Sequence, residues 1–159
     1  MSTQSYITLK MRARIGVETL LGSVEIEKGS IIKFAQAIGD NNPLFQNELA
    51  ARNSKNGGII APPTFLRSVD AACENPDTDS KSEIIPNHFT ARVDGGSEWE
   101  YFAYVRPGDT ITVVQIIQNI FERSGRMGDM LFVVTLRKYF NQLEELIATQ
   151  TTTSISYQA

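Results

Sequence analysis

Between Ser97 and Tyr157 the chain runs through four stretches rich in β-branched and aromatic residues, separated by clusters of turn formers. The stretches are Ser97–Tyr104, Thr110–Phe121, Met130–Phe140 and Leu143–Tyr157. Between them stand Arg106-Pro107-Gly108-Asp109, Ser124-Gly125-Arg126-Met127-Gly128-Asp129 and Asn141-Gln142. Connections this short join antiparallel neighbours, so this half of the chain reads as a long meander. One face of such a sheet must be covered, and the cover has to come from the residues before it.

Those residues carry helical patterns. Val24-Glu25-Ile26-Glu27-Lys28-Gly29 alternates briefly and reads as a first strand or its approach. Ser30 is placed to cap a helix whose apolar positions Ile31, Phe34, Ala35 and Ile38 recur at three- and four-residue spacing, and Gly39 ends it. Asp40-Asn41-Asn42-Pro43 is a turn, Leu49–Arg52 a short helical turn, and Gly57-Gly58 a loop. Pro62-Pro63 opens a second helix, Thr64 to about Cys73, because the first turn of a helix has no use for amide hydrogens. Its apolar residues, Phe65, Leu66, Val69, Ala72 and Cys73, spread around the circumference and predict burial on more than one side. Glu74–Pro86, rich in Asp, Asn, Ser and Pro, reads as an exposed loop. The fold class is therefore α+β.

Composition narrows the function. The 159 residues are 42% apolar and 21% charged, the balance of one domain able to bury its own core. Fifteen basic against eighteen acidic residues leave a net charge of -3, without the basic field that holds a phosphate backbone, so nucleic acid is excluded as a partner. No apolar run reaches the roughly 18 residues of a membrane span. The single cysteine, Cys73, and the lack of a secretory pattern predict a reducing cytoplasm. No cofactor or metal set is evident. There is one histidine, His88.

Two segments carry a resemblance. The first is Phe34-Ala35-Gln36-Ala37-Ile38-Gly39-Asp40-Asn41-Asn42-Pro43-Leu44-Phe45 followed by Gly58-Ile59-Ile60-Ala61-Pro62-Pro63-Thr64-Phe65. The second is Asp94-Gly95-Gly96-Ser97-Glu98-Trp99-Glu100-Tyr101-Phe102 followed by Val105-Arg106-Pro107-Gly108-Asp109. In this order the chain, over about residues 26–157, resembles the MaoC-like dehydratase and hydratase superfamily. That resemblance implies a single hot-dog domain, residues 1–159, with a curled antiparallel sheet wrapped around a long central helix. It also implies reversible addition of water to a 2-enoyl thioester, giving the (R)-3-hydroxyacyl form. Active members use the Asp and His of an Asp-x-Asn-Pro-x-His loop on the water, and the amide of a His-Gly pair at the start of the central helix on the thioester oxygen.

Asp40 falls on the family's aspartate, but Phe45 falls on its histidine, and a phenyl ring moves no proton. Pro62-Pro63 falls on the His-Gly pair, and Pro63 has no N–H to offer an oxyanion. The combination resembles the dehydratase N-terminal type of MaoC domain, the non-catalytic half of a double hot dog or a separate subunit. The resemblance implies a non-catalytic subunit of a heteromeric (R)-specific enoyl-CoA hydratase or 3-hydroxyacyl thioester dehydratase, bound to a catalytic MaoC-like subunit. Its ligand would be an acyl-CoA or acyl-carrier thioester. A homodimer is open to the chain when that partner is missing. Two alternatives stay open: a self-sufficient hydratase or thioesterase using Asp40, and a non-enzymatic acyl-thioester binding module. Phe45, Ile60, Pro62, Thr64 and Phe65 are the expected acyl-channel residues, and Trp99 and Tyr101 the expected partner interface.

Simpler roles compete at each position. Asp40 can serve its own turn, His88 can be structural, and Cys73 can act as a small core hydrophobe. Gly57-Gly58 lacks the Lys-Ser/Thr of a phosphate loop, and Gly95-Gly96 reads as a bulge. Glu98 and Glu100 alternate onto one face, solvated or interfacial. Arg123, Arg126, Arg137 and Lys138 are cations near strand ends, within conceivable reach of coenzyme A phosphates or simply solvated.

Overall fold

The computed structural model describes residues 5–73, 88–126 and 128–158. A short helix α1 (Leu9–Ala13) precedes β1 (Glu18–Glu25), α2 (Lys28–Ala37), α3 (Pro43–Gln46), α4 (Glu48–Arg52) and α5 (Leu66–Cys73), with a 3₁₀ turn at Pro63–Phe65 leading into α5. The strands β2 (Ala91–Tyr101), β3 (Thr110–Gly125), β4 (Gly128–Phe140) and β5 (Leu146–Tyr157) follow. They form one antiparallel sheet in the order β1-β3-β4-β5-β2, so β1 and β2 are its edges.

The sheet's alternation sorts the residues by face. Ile111, Val113, Leu131, Val133, Tyr139 and Ala148 are buried on the concave face. The main core joins Ile111, Val113, Tyr139 and Ala148 to Leu66, Val69 and Cys73 of α5 and to Ile31 of α2. A second cluster gathers Met11, Phe89, Ile117, Ile120, Leu131 and Val133 farther along the sheet. A curled antiparallel sheet closed over a central helix is the hot-dog fold, as expected.

The boundaries differ in instructive places. The first strand is Glu18–Glu25, not Val24–Gly29, and pairs with β3 from Glu18↔Ile116 to Glu25↔Thr110. Helix α2 starts at Lys28 with Glu27 at its N-cap, so Ser30 lies inside it and caps nothing. The cause is a pin just upstream. The Ile26 N–H donates to Asp109 O at 2.8 Å and its carbonyl accepts from Gly108 N–H at 2.8 Å, so the chain must turn at once. Gly39 does end α2, at φ +71°, a conformation that costs glycine little.

Helix α5 is buried along one face only. Leu66, Val69, Asp70 and Cys73 are inside, while Arg67, Ala71 and Ala72 are exposed, so burial on several sides is not found among the described residues. The exposed loop expected at Glu74–Pro86 lies outside the described residues. Strand β2 runs Ala91–Tyr101 rather than Ser97–Tyr104, with Phe102 and Tyr104 beyond its end and exposed. Strand β5 begins at Leu146, not Leu143, because Asn141 Oδ1 accepts from both Leu143 N–H (2.9 Å) and Glu145 N–H (3.0 Å), closing a loop with Glu144 at φ 60°. No helix among the described residues is long and apolar enough to cross a membrane.

Candidate functional site

Helix α2 stops at Gly39, and the turn beyond it is fastened by its own side chains. Asp40 Oδ1 accepts the Asn42 N–H at 3.0 Å, and Asn42 Oδ1 accepts the Leu44 N–H at 3.1 Å, which caps α3. The Asp40 carbonyl accepts from Gln46 Nε2. Asp40 thus spends its carboxylate on the turn. Phe45, the third residue of α3, is 6% exposed and packs with Ala35 and Ile60. The Ile60 N–H donates to Leu44 O at 3.2 Å, and the Ala61 N–H to Val105 O at 2.8 Å, tying the strand-like Ile59–Ala61 stretch between α3 and the segment after β2. Pro62 and Pro63 then begin the 3₁₀ turn, with the Phe65 N–H donating to Pro62 O at 2.9 Å.

Around this junction opens a cleft of about 950 Å³. One wall is Phe45, Ile60, Pro62, Pro63 and Leu66. The rest of the lining is the segment from Tyr101 to Arg106, with the loop of Asn141, Gln142, Leu143 and Glu145 and Ile147. That segment is held by Ile147 O, which accepts from Phe102 N–H (2.8 Å) and Ala103 N–H (3.2 Å). The rim is aromatic and wet: Tyr101, Phe102 and Tyr104 are each about half exposed. Two cations, Lys55 and Arg106, line the same cleft. Arg106 is anchored, its Nη1 donating to Asn56 O at 2.8 Å and its N–H to Asp109 Oδ2 at 2.7 Å.

The chemistry available here is binding. The Asp109 carboxylate is engaged on both oxygens, by the Arg106 N–H and by Gln142 Nε2 at 3.2 Å. His88 lies elsewhere, its ring stacked on Tyr6 with centroids 4.5 Å apart. Of the two rim tyrosines, Tyr101 has its hydroxyl pushed above the ordinary value by desolvation, so the phenol holds its proton at neutral pH and is a weaker acid. An apolar trough with an aromatic, partly cationic rim suits an acyl chain carrying a polar head.

Of the expected channel residues, the structure brings Phe45, Ile60 and Pro62 to the cleft. Thr64 and Phe65 are not among its lining. Thr64 is exposed, and Phe65 turns into the core, edge-on to Phe34 at 5.4 Å. Asp40 does not line the cleft either. Trp99 and Tyr101 do not share one environment. Trp99 is half-buried and stacks on Tyr139 at 5.5 Å, whereas Tyr101 is exposed and stacks on Trp99 from the other side at 5.8 Å. Sequence reading does not find Leu143 and Glu145 as lining residues, because it starts a strand at Leu143, directly after the Asn141-Gln142 turn; the clue is the Asn at 141, a residue that bonds its own backbone.

The four cations named at strand ends are dispersed, with Arg126 exposed in the turn after β3. Arg123 lies over the Phe121 and Phe132 rings, at 5.3 and 5.7 Å, on the convex face. Arg137 points to the concave face and bonds Asp70 at 3.1 Å, and Lys138 bonds Glu18 at 3.0 Å on the convex face. Cys73 is buried with its thiol pushed up by desolvation, the state of a core hydrophobe rather than a nucleophile.

The family model described as "FAS1-like, dehydratase domain region" matches residues 13–150. A protein of Thermomonospora curvata named probable enoyl-CoA hydratase alpha subunit is 30% identical over an alignment 128 residues long that covers 74% of this chain and 40% of that protein. The chain thus spans less than half the length of that relative. Among solved structures, the MaoC-like dehydratase of Rhodospirillum rubrum superposes with a TM-score of 0.71 at 20% identity, covering 91% of this chain and 93% of that one. The ChsH1-ChsH2 complex of Mycobacterium tuberculosis contains a chain that superposes at 0.77 and 20% identity, covering 94% and 88%.

Proposed function

The chain belongs to the FAS1-like dehydratase family, and from that membership we propose that it is the non-catalytic subunit of a heteromeric (R)-specific enoyl-CoA hydratase or 3-hydroxyacyl thioester dehydratase. The observation that carries the reading is the lining of the cleft. It gathers residues of the two motif segments of the resemblance, and among them are Phe45 and Pro62-Pro63, which by that resemblance fall on the family's histidine and amide donor. Water addition needs a proton acceptor within hydrogen-bond reach and an oriented donor for the thioester oxygen. This cleft supplies an apolar wall instead. The name of the Thermomonospora relative, an alpha subunit, and a structural neighbour that is a two-protein complex are in keeping with a partner.

In this reading the partner subunit carries an Asp-x-Asn-Pro-x-His loop and a His-Gly helix start, and brings both proton transfer and oxyanion stabilisation. The present chain contributes binding energy remote from the reacting carbons, and by the shape of its cleft sets which acyl groups reach them. The reaction belongs to the cytoplasm, on an acyl-CoA or acyl-carrier thioester. The test is a hydration assay on enoyl-CoAs of increasing chain length, with the chain alone and co-purified with a catalytic subunit of that description. Turnover should appear only in the complex, and Asp40→Ala in this chain should leave kcat of the complex within about twofold. Hydration by the lone chain that Asp40→Ala abolishes would overturn the proposal.

A further inference from the structure

Lys55 and Arg106 both line the cleft, and neither makes an ion pair among the described residues. Other cations of the fold are matched. Lys28 and Arg52 meet Glu48 at 2.9 Å, Arg67 and Arg137 meet Asp70 at 3.1 Å, and Lys138 meets Glu18 at 3.0 Å. The cleft also holds two carboxylates, Asp109 and Glu145, but these fasten its loops. Asp109 accepts from the Arg106 N–H and from Gln142 Nε2, and Glu145 Oε2 accepts from Asn141 Nδ2 at 2.8 Å. The carboxylates are engaged by neutral donors, and the cations face nothing of opposite charge.

Arg106 is half-buried and held in place before any ligand arrives. Its Nη1 donates to Asn56 O at 2.8 Å, which sets the guanidinium against the residue next to Lys55 and brings both charges to one corner of the cleft. The Nε and Nη2 hydrogens have no protein acceptor among the described residues. A guanidinium fork fixed in this way matches a carboxylate or phosphate with little further loss of freedom. Beside this corner the lining is apolar, with Phe45, Ile60, Pro62 and Leu66. A wholly apolar chain drawn through the trough would displace water from the two charges and return no hydrogen bond. A chain with an oxyanion beyond its apolar part satisfies both surfaces.

We propose that Lys55 and Arg106 form an oxyanion subsite of the cleft, and that the acyl group it takes ends in a carboxylate. This rests on the subunit reading, which leaves the thioester and its carrier with the partner and gives this cleft the far end of the acyl group. A phosphate of the carrier offers the same chemistry from the opposite end of the substrate, and the experiment separates the two.

The lone chain is titrated by calorimetry with octanoate, 1-octanol and coenzyme A. At low ionic strength octanoate should bind about tenfold tighter than octanol, an advantage that fades at about 1 M salt. Lys55→Glu, at an exposed position with no partner to lose, should remove most of that advantage, and Lys55→Gln/Arg106→Gln all of it. In the complex with a catalytic subunit, an enoyl-CoA ending in a carboxylate is compared with the methyl-ended chain of equal length. The ratio of their kcat/KM values should fall about tenfold in the double variant. Equal binding of octanoate and octanol overturns the subsite. A coenzyme A affinity that falls with these substitutions, beside a kcat/KM ratio that does not move, overturns the acyl assignment in favour of a carrier phosphate. A complex without hydration activity counts against the subunit reading alone, since the octanoate result needs no partner.

Discussion

Asp70 occupies a buried position of α5, four residues after Leu66 and three before Cys73, where a small apolar residue would be the ordinary choice. It is 2% exposed, and its carboxylate is compensated from three directions. Tyr139 Oη donates to Oδ1 at 2.8 Å, Arg137 Nη1 lies 3.1 Å from the same oxygen, and Arg67 Nη1 lies 3.1 Å from Oδ2. Two of these partners come from β4, so the network bolts the central helix to the sheet. Burial first, and then the Asp70 charge, push the Tyr139 hydroxyl far above its ordinary value. The sign follows from linkage. The native state keeps the phenol's proton after the unfolded chain has released it near pH 10, so this stabilisation is full below pH 10 and lost above it. Tyr139→Phe should therefore cost about 1.5–3 kcal/mol at pH 7, the range for a hydrogen bond to a charged group. Above pH 10 its deficit should shrink by about 1.4 kcal/mol per pH unit, since only the wild type pays for holding the proton. Urea unfolding of both proteins at pH 7, 10 and 11 measures this; a deficit constant across that range would mean that Tyr139 is held by packing alone.

At the scale of elements, β2 shows how sequence and structure agree and part. Gly95-Gly96 reads as a bulge, and the register with β5 does shift between Asp94 and Gly96. Asp94 Oδ1 accepts the Gly96 N–H at 2.9 Å, which fixes the bend, and Gly96 sits at φ +128°. A Cβ on Gly95 would stand 2.9 Å from Ile155 Cδ1 and 3.1 Å from the Thr153 carbonyl oxygen. The isoleucine tip can yield but the carbonyl, fixed in β5, cannot, so Gly95→Ala should lower stability by roughly 1–3 kcal/mol. An unchanged urea midpoint would refute the close approach. What was legible here was local: the β-branched runs, the glycine bulge, the proline start of the helix and the stop at Gly39. The boundaries that moved were set by distant partners. Lys28 begins α2 because Ile26 is pinned to the turn before β3, and Leu143 leaves β5 because Asn141 closes a loop. Asp70 was invisible for the same reason. Its compensation comes from Arg137 and Tyr139, concave residues of a strand nearly seventy positions away.

For the whole molecule, the site is a product of closure rather than of any one motif. Phe45 and Ile60 come from the helical half, Ile147 and the Asn141–Glu145 loop from the meander, and the segment after β2 bridges them. This explains why Phe45, Ile60 and Pro62 were legible from the resemblance whereas Arg106, Leu66 and Ile147 were not: the latter line the cleft only through the curl of the sheet. It also sets a means of testing whether the cleft holds an acyl chain. Ala103 lines it from an exposed position, so a larger side chain there fills space without displacing core. Each methylene excluded from an apolar site forfeits about 0.8 kcal/mol, so displacing two costs about 1.6 kcal/mol, roughly fifteenfold in affinity. In the complex with the catalytic subunit, Ala103→Trp should lower kcat/KM for long enoyl-CoAs by about that factor while leaving a four-carbon substrate within about twofold, because the reacting carbons lie with the partner. An equal loss for both substrates, together with weakened association, would assign the cleft to assembly instead of to acyl recognition.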